Sequence, residues 1–204
     1  MRQKYFFLLT FFLSFASKIY GSGDLKNMKT MPQQEALFAM GCFWSGESAF
    51  QDHDTNAQLP GIISIKVGYT GGTSKNPTYE SHEGHQEAVQ IIFDPSIISY
   101  KQLLEVFWHN IDPFNNEGQF CDIGASYIPA IFFKSVEQKQ TIEESKAKVE
   151  KVLKRPIMIA IKEATPFYNA EEYHQNFKVK NPEAYDSYRR GSRRDQRLGD
   201  IWHK

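Results

Sequence analysis

Cysteine is scarce in this chain: the 204 residues hold only Cys42 and Cys121. Two thiols exclude a disulfide-dense scaffold, and a domain of this length can build a sufficient core without a staple. A single Cys42–Cys121 bridge stays open. A zinc site built on several thiolates is excluded as well. The one cluster of metal-capable residues, His82-Glu83-Gly84-His85, has a glycine at its centre and no third partner nearby, so it reads as a loop. Charge of one sign is also lacking. Lys and Arg number 24 against 24 Asp and Glu, so the formal net charge is zero. That balance gives no footprint for nucleic acid. The local exception is Arg189, Arg190, Arg193, Arg194 and Arg197, a run that reads as a solvated tail or a patch packed on acidic surface. Internal repeats and low-complexity blocks are absent from the body of the chain, which reads as one domain.

A membrane-spanning run is missing too. The apolar stretch Tyr5 to Ala16 follows a basic head, Met1-Arg2-Gln3-Lys4. At about a dozen residues it is shorter than the roughly 20 a spanning helix requires. Its flanks are those of a cleaved secretory signal. The reading is a signal peptide over 1–21, a flexible leader over 22–34, and one domain over 35–204 whose Arg-rich extension starts near 186. The expected location is periplasmic or secreted. No cysteine near the cleavage region indicates a lipid-anchored product.

What is present is a regular alternation of apolar segments. Glu35–Gly41, Ile62–Tyr69, Glu87–Phe93 and Ile128–Phe133 have strand patterns. Ser45–Gln51 and Ser99–Asn110 have helical ones, the second with Ser99 placed as a cap. Val136–Lys154 reads as a long charged helix, Ile157–Ile161 as a further strand, and Glu171–Phe177 as a short helix. The order β-α-β-β-α-β predicts an α+β fold, a ferredoxin-like split βαβ sandwich with a C-terminal helical and coil extension. The long loops of such a scaffold can converge on one site.

Gly41-Cys42-Phe43-Trp44 lies at the junction of the first strand and first helix. A cysteine at a helix N-terminus meets free backbone N–H groups and the positive end of the dipole, which favours the nucleophilic thiolate and lowers the thiol pKa. Phe43 and Trp44 could wall an apolar pocket beside the sulfur. Polar and aromatic residues recur in three further loop segments: Asn76-Pro77-Thr78-Tyr79, Gly84-His85-Gln86-Glu87, and Gly118 to Tyr127 with Cys121 and Asp122. From the residues alone, two other readings stay open. One is a cysteine hydrolase or acyl transferase pairing Cys42 with His85 or His174. The other is an exported binding module held by a Cys42–Cys121 bridge.

These segments, with Gly68-Tyr69-Thr70-Gly71-Gly72, Ile98 to Trp108, Asp112-Pro113 and Thr165-Pro166-Phe167-Tyr168, make the chain resemble the A-type peptide methionine sulfoxide reductases from about Glu35 to about Phe177. The resemblance implies a peptide-methionine (S)-S-oxide reductase, an oxidoreductase of protein repair under oxidative stress. In that reading Cys42 attacks the sulfoxide sulfur, and Glu87 protonates or hydrogen-bonds the departing oxygen. Tyr79 and Tyr127 bond the same oxygen, Asp122 orients the substrate, and Phe43 and Trp44 hold the methyl group. The product on Cys42 is a sulfenic acid. The resemblance implies no bound cofactor; turnover needs a thiol reductant such as thioredoxin or a small thiol, and oxidised proteins or peptides are the substrate of an expected monomer. Many relatives carry recycling cysteines near the C-terminus. This chain has none after Cys121, and Ser192 stands in that region. Cys121 is then either the resolving thiol or an inert buried one.

Overall fold

The computed structural model describes residues 32–51 and 57–202. The expected signal peptide and most of the expected leader lie outside these residues.

Strand β1 (Gln34–Ala39) is hydrogen-bonded on both edges, and its apolar residues are buried on both faces. A strand covered on both sides has no need of polar alternation, which explains the unbroken run Ala36-Leu37-Phe38-Ala39-Met40. Helix α1 (Phe43–Ala49) follows, with Cys42 at its N-cap. Strands β2 (Ile62–Thr70) and β3 (Gln86–Phe93) form an antiparallel pair, and β3 inserts between β1 and β2. Helix α2 (Tyr100–His109) is closed at its start by a reciprocal box: Gln102 N–H donates to Ser99 Oγ, and Ser99 N–H donates to Gln102 Oε1. A two-residue hairpin, β4 (Gly118–Gln119) and β5 (Asp122–Ile123), turns at Phe120 and Cys121. A 3-10 turn (Ala125–Tyr127) leads into β6 (Ala130–Phe133). Helix α3 (Val136–Leu153) and strand β7 (Ala160–Glu163) come next.

The principal sheet has the order β7-β6-β1-β3-β2-β8, where β8 is Tyr168–Asn169. Its inner four strands, β6-β1-β3-β2, are the predicted split βαβ arrangement. Helices α1, α2 and α3 cover one face. Ala36, Phe38 and Met40 join Leu103, Leu104, Phe107, Trp108 and Ile142 in the larger core there. Leu37 and Ala39 point the other way, into a smaller cluster with Ala88, Ala130 and Phe132 that Phe167 covers. Period-two alternation along β1 thus feeds two cores.

Three expectations need correction. The strand predicted at Ile157–Ile161 begins later, at Ala160, because Met158 N–H donates to Pro113 O and keeps the preceding residues on that loop. The helix predicted at Glu171–Phe177 is a series of turns, and Asn176 at φ +54° breaks the helical course; α4 (Phe177–Lys180) starts only after it. The C-terminal extension is two helices, α5 (Pro182–Gly191) and α6 (Arg194–Trp202), hinged at Arg193 with φ +53°. It is no solvated tail: Arg194 is 0% exposed.

The outer edge of β2 is completed by a side chain. Gln175 Nε2 donates to Val67 O (2.8 Å) and Ala170 O (2.9 Å), and its Oε1 accepts from Val67 N–H (3.0 Å). The carboxamide mimics a peptide group just beyond the short ladder that β8 makes with Gly68 and Tyr69. Gln175→Leu keeps the volume and strands the Val67 N–H in a buried place, while Val67 O keeps the Ala170 N–H. An unpaired buried polar group costs about 1–3 kcal/mol, so a loss of that size is expected in urea unfolding; a midpoint equal to that of the parent would show that water satisfies the Val67 N–H.

Candidate active site

The turn carrying Cys42 depends on Gly41. Its φ is +78°, and a Cβ there would stand 2.5 Å from Gln119 Cβ. Only glycine allows both the left-handed backbone and the close approach. The chain then turns directly into α1, whose first bonds run from Ser45 and Gly46 N–H to Cys42 O. Cys42 is 6% exposed, and the Tyr188 hydroxyl and the Trp44 backbone N–H stand near enough to its sulfur to favour the anion. These contacts favour the thiolate, as the sequence suggests. Burial outweighs them, however. Desolvation first, then the charges of Glu87 and Asp122, push the thiol up to about 12. The expectation that the helix N-terminus leaves a low-pKa thiol is therefore corrected for the resting site.

Glu87 lies on β3 opposite Tyr69 of β2 and is 1% exposed. Its Oε2 accepts the backbone N–H of Phe43 at 2.9 Å. The carboxyl thus sits at the N-terminus of the helix that Cys42 caps. Burial, reinforced by Asp122, pushes it up to about 8 despite that hydrogen bond, so it carries its proton at neutral pH.

Tyr79 and Tyr127 arrive on separate loops that hold each other. His82 Nδ1 lies 3.0 Å from Thr78 O and its Nε2 2.9 Å from Ser126 Oγ, which ties the Tyr79 loop to the 3-10 turn of Tyr127. Glu171 adds a second tie: it accepts from Tyr79 N–H (2.9 Å) and from the Tyr69 hydroxyl (3.0 Å). The two phenols lie close enough to influence each other, and both feel Glu87 and Cys42. Burial raises both phenol pKa values, with Glu87 the next cause, so both hydroxyls keep their protons as donors. Asp122, on β5, accepts the Tyr188 hydroxyl at 2.6 Å.

The two aromatic residues after Cys42 have different situations. Phe43 is 1% exposed and packs in the core against Tyr69 and His174. Trp44 is half-buried, lies flat on Phe177 with centroids 3.7 Å apart, and donates its indole N–H to His174 Nδ1 at 3.1 Å. Trp44 is therefore the accessible part of the apolar wall. Glu47 of α1 sets this stack by accepting the N–H groups of Asn176 and Phe177.

The remaining sequence candidates separate. Both cysteines are free: Cys42 buried, Cys121 exposed at the hairpin tip, 3.7 Å from Asp122 Oδ1. The bridged-module reading and the buried Cys121 are both corrected, because a thiol at a hairpin tip points to solvent. His85 bonds Gly72 N–H and Ser74, and His174 holds Trp44. Neither histidine serves the sulfur as a hydrolase base would. Ser192 is buried, its hydroxyl donating to Arg189 O and accepting the N–H of Arg194. Sequence reasoning missed Tyr188, Glu171 and Arg194, and it named His174 only as a possible hydrolase base. Tyr188 and Arg194 sit in a segment that charge marked as surface, and Glu171 looked like part of an ordinary helix.

The family model for "Peptide methionine sulfoxide reductase" matches residues 34–204. The chain is 47% identical over 173 residues to the peptide methionine sulfoxide reductase MsrA of Bacillus licheniformis, covering 82% of this chain and 92% of that protein. It is 47% identical over 179 residues to the Ligilactobacillus salivarius protein of the same name, covering 85% of this chain and 100% of that one. Among solved structures, reduced Mxr1 from Saccharomyces cerevisiae superposes with a TM-score of 0.67 at 26% identity, covering 78% of this chain and 92% of that one.

The charges around Cys42 have a measurable consequence. Above pH 8 Glu87 ionises and opposes the thiolate, whereas glutamine never does. In a Cys121→Ser background, Glu87→Gln is expected to speed iodoacetamide alkylation of Cys42 at pH 9 by about three- to tenfold, half to one pKa unit. Equal rates at that pH would show that Glu87 does not reach the sulfur.

Proposed function

The chain belongs to the peptide methionine sulfoxide reductase family, and on that premise we propose that it returns methionine-S-sulfoxide in peptides and proteins to methionine through Cys42. The observation that carries the reading is the convergence of a nucleophile, a protonated carboxyl and two phenol donors at the start of α1. A sulfoxide needs this set: a nucleophile at sulfur, and proton donors at oxygen.

Cys42 sulfur forms a bond to the substrate sulfur while Glu87, carrying its proton near neutral pH, and the hydroxyls of Tyr79 and Tyr127 take the developing charge on oxygen. With Glu87 protonated, its negative charge no longer opposes the Cys42 thiolate. Asp122 orients the substrate. Trp44, backed by Phe43, faces the methyl group. The oxygen then passes to Cys42. In net terms, thiol and sulfoxide become sulfenic acid and thioether: the substrate sulfur is reduced by two electrons, Cys42 is oxidised by two, and the thiol proton ends on the sulfenic oxygen. No bound cofactor enters this step.

Return to the thiol draws on an external reductant, a small thiol or a thioredoxin-like protein. One thiol displaces water from the sulfenic acid to give a mixed disulfide, and a second releases Cys42. Cys121 is exposed and beside Asp122, so it is the internal alternative for the first of these steps. The protein acts as an exported monomer on oxidised envelope or secreted proteins. Export rests on the N-terminal pattern alone, which lies outside the described residues.

The test is an assay on both sulfoxide epimers of a methionine peptide with dithiothreitol. Reduction of the S epimer alone is expected, with none by Cys42→Ser; turnover by that variant would end the reading. Glu87→Gln is expected to slow single-turnover chemistry about 10²–10⁴-fold, the usual effect of losing a general acid. It should also abolish the fall in parent rate as pH rises through about 8, where the parent carboxyl loses its proton. After one equivalent of substrate without reductant, mass spectrometry is expected to find trapped sulfenic acid on Cys42; a Cys42–Cys121 crosslink would instead make Cys121 the resolving thiol.

A further inference from the structure

The proposed reaction leaves one buried ion without a task. Arg194 opens α6 and is 0% exposed. Its Nη1 donates to Asn110 O at 2.8 Å and its Nη2 to Met40 O at 3.4 Å, and its guanidinium lies 4.1 Å from the centre of the Phe120 ring. Nε is buried without a hydrogen-bond partner among the described residues. The nearby carboxylates are engaged elsewhere: Asp195 with Arg189 at 2.5 Å, and Asp112 with Arg197 at 2.7 Å. Among the described residues, none forms an ion pair with Arg194. A buried cation without a counter-anion is costly, by several kcal/mol even after relaxation in typical proteins. Carbonyl oxygens and an aromatic face offset only part of that cost.

Its position indicates what balances it. Met40 O, which the guanidinium holds, belongs to the turn immediately before the nucleophile. A Cβ placed on Gly41 would stand 3.6 Å from Nη2. The groups acting on the guanidinium that can bear negative charge are Tyr188, Cys42 and Tyr185, with Cys121 also within its field, and Arg189 opposes it as a like charge. Phenols keep their protons at neutral pH, which leaves the thiol as the group that can supply the anion. The rest of the sulfur's surroundings carry negative or neutral groups: Glu87, Asp122, Tyr79, Tyr127 and Tyr188.

We infer that Arg194 is a positioning residue for the nucleophile, a buried cation that balances the Cys42 thiolate during the reaction and is delivered to the site, together with Tyr188, by the C-terminal helix pair α5–α6. It touches neither substrate nor reacting atoms. It holds the Met40–Gly41 turn through one carbonyl and lowers the free energy of the anion by field. Tyr188 completes the link, because its hydroxyl faces both the Cys42 sulfur and Asp122. When Cys42 is a thiol, the phenol proton rests on Asp122; when it is a thiolate, the same proton can turn to the sulfur. The left-handed turn at Arg193 is what points residue 194 inward.

The inference rests on Cys42 being the nucleophile, so its test reads the thiolate and not sulfoxide reduction. In full-length protein with Cys121→Ser, the rate of Cys42 alkylation by iodoacetamide is followed by mass spectrometry from pH 7 to 10 for the parent Arg194, Arg194→Lys and Arg194→Gln. Lysine keeps the charge and loses the planar fork; glutamine keeps donors and loses the charge. The expected result is a rate within about threefold of the parent for lysine and at least about tenfold lower for glutamine, one pKa unit or more. Equal rates for the two variants, whether both high or both low, would overturn the inference, because packing alone does not distinguish them in charge. Should those variants fail to fold, Cys42→Asp and Cys42→Asn are compared with Arg194 intact. A balancing cation holds the carboxyl introduced by Cys42→Asp below its unfolded pKa of about 3.9, so the melting temperature of that variant is expected to gain on that of Cys42→Asn as pH rises from about 2.5 to 5 and to hold that gain above it. A constant or falling difference across that rise would overturn the inference. Failure here with intact Met-S-sulfoxide reduction would leave the enzyme reading standing and remove only the role of Arg194.

Discussion

One hydrogen bond organises the site: the backbone N–H of Phe43 to Glu87 Oε2. It joins the first turn of α1 to the middle of the sheet, and it fixes two of the proposed reacting groups at once. Phe43 is the residue after Cys42, so the bond that seats the carboxyl also sets where the sulfur stands. Glu87 can reach it because β3 lies between β1 and β2, beneath the helix that connects them. The split βαβ topology therefore does more than make a core. It brings the strand bearing Glu87, the proposed acid, under the helix start bearing Cys42.

Burial sets the chemistry of that pair. An exposed carboxyl would be ionised at neutral pH and useless as a proton donor. Glu87 is shielded on all sides and remains protonated until about pH 8. The same burial raises the Cys42 thiol, which by itself would quench a nucleophile. The fold answers with donors of several origins: the Trp44 N–H at the helix start, the Tyr188 hydroxyl from α5, and the guanidinium of Arg194 from α6. The site keeps its acid by excluding water and recovers its anion by placing dipoles and one cation around the sulfur. The rim is held by other polar links, Glu171 to the Tyr79 loop and His82 to the Tyr127 turn.

Much of this was legible in the sequence where periodicity and local chemistry agree. The inner strands and the first three helices lie close to where apolar spacing places them, and the Ser99 cap is as read. Cys42 stood out at its strand–helix junction, whereas Glu87, Tyr79, Tyr127 and Asp122 were named as site residues through the family resemblance. What was not legible depends on long-range pairing. A two-residue strand such as β8 has no periodicity, and Gln175 gives no sign that it will complete a ladder 108 positions away. Glu171 resembled an exposed helical residue, and His174 showed only as a possible hydrolase base, because their partners, the Tyr79 loop and Trp44 of α1, lie far away in the chain. The arginine cluster misled for a different reason. Arg193 is exposed while Arg194 is fully buried, and only the left-handed backbone between α5 and α6 decides which residue turns inward. Charge composition does not encode that turn.

The central claim is that a protonated Glu87 shares the helix start with the nucleophile. It is tested most directly by a carbon-13 NMR titration of the Glu87 side-chain carboxyl in the resting enzyme, assigned by its loss in Glu87→Gln. A midpoint near pH 8 is predicted, with the signal of a protonated carboxyl at pH 7. A midpoint between about 4 and 5, the ordinary glutamate range, would contradict the account, because the carboxyl would then arrive at the reaction without its proton.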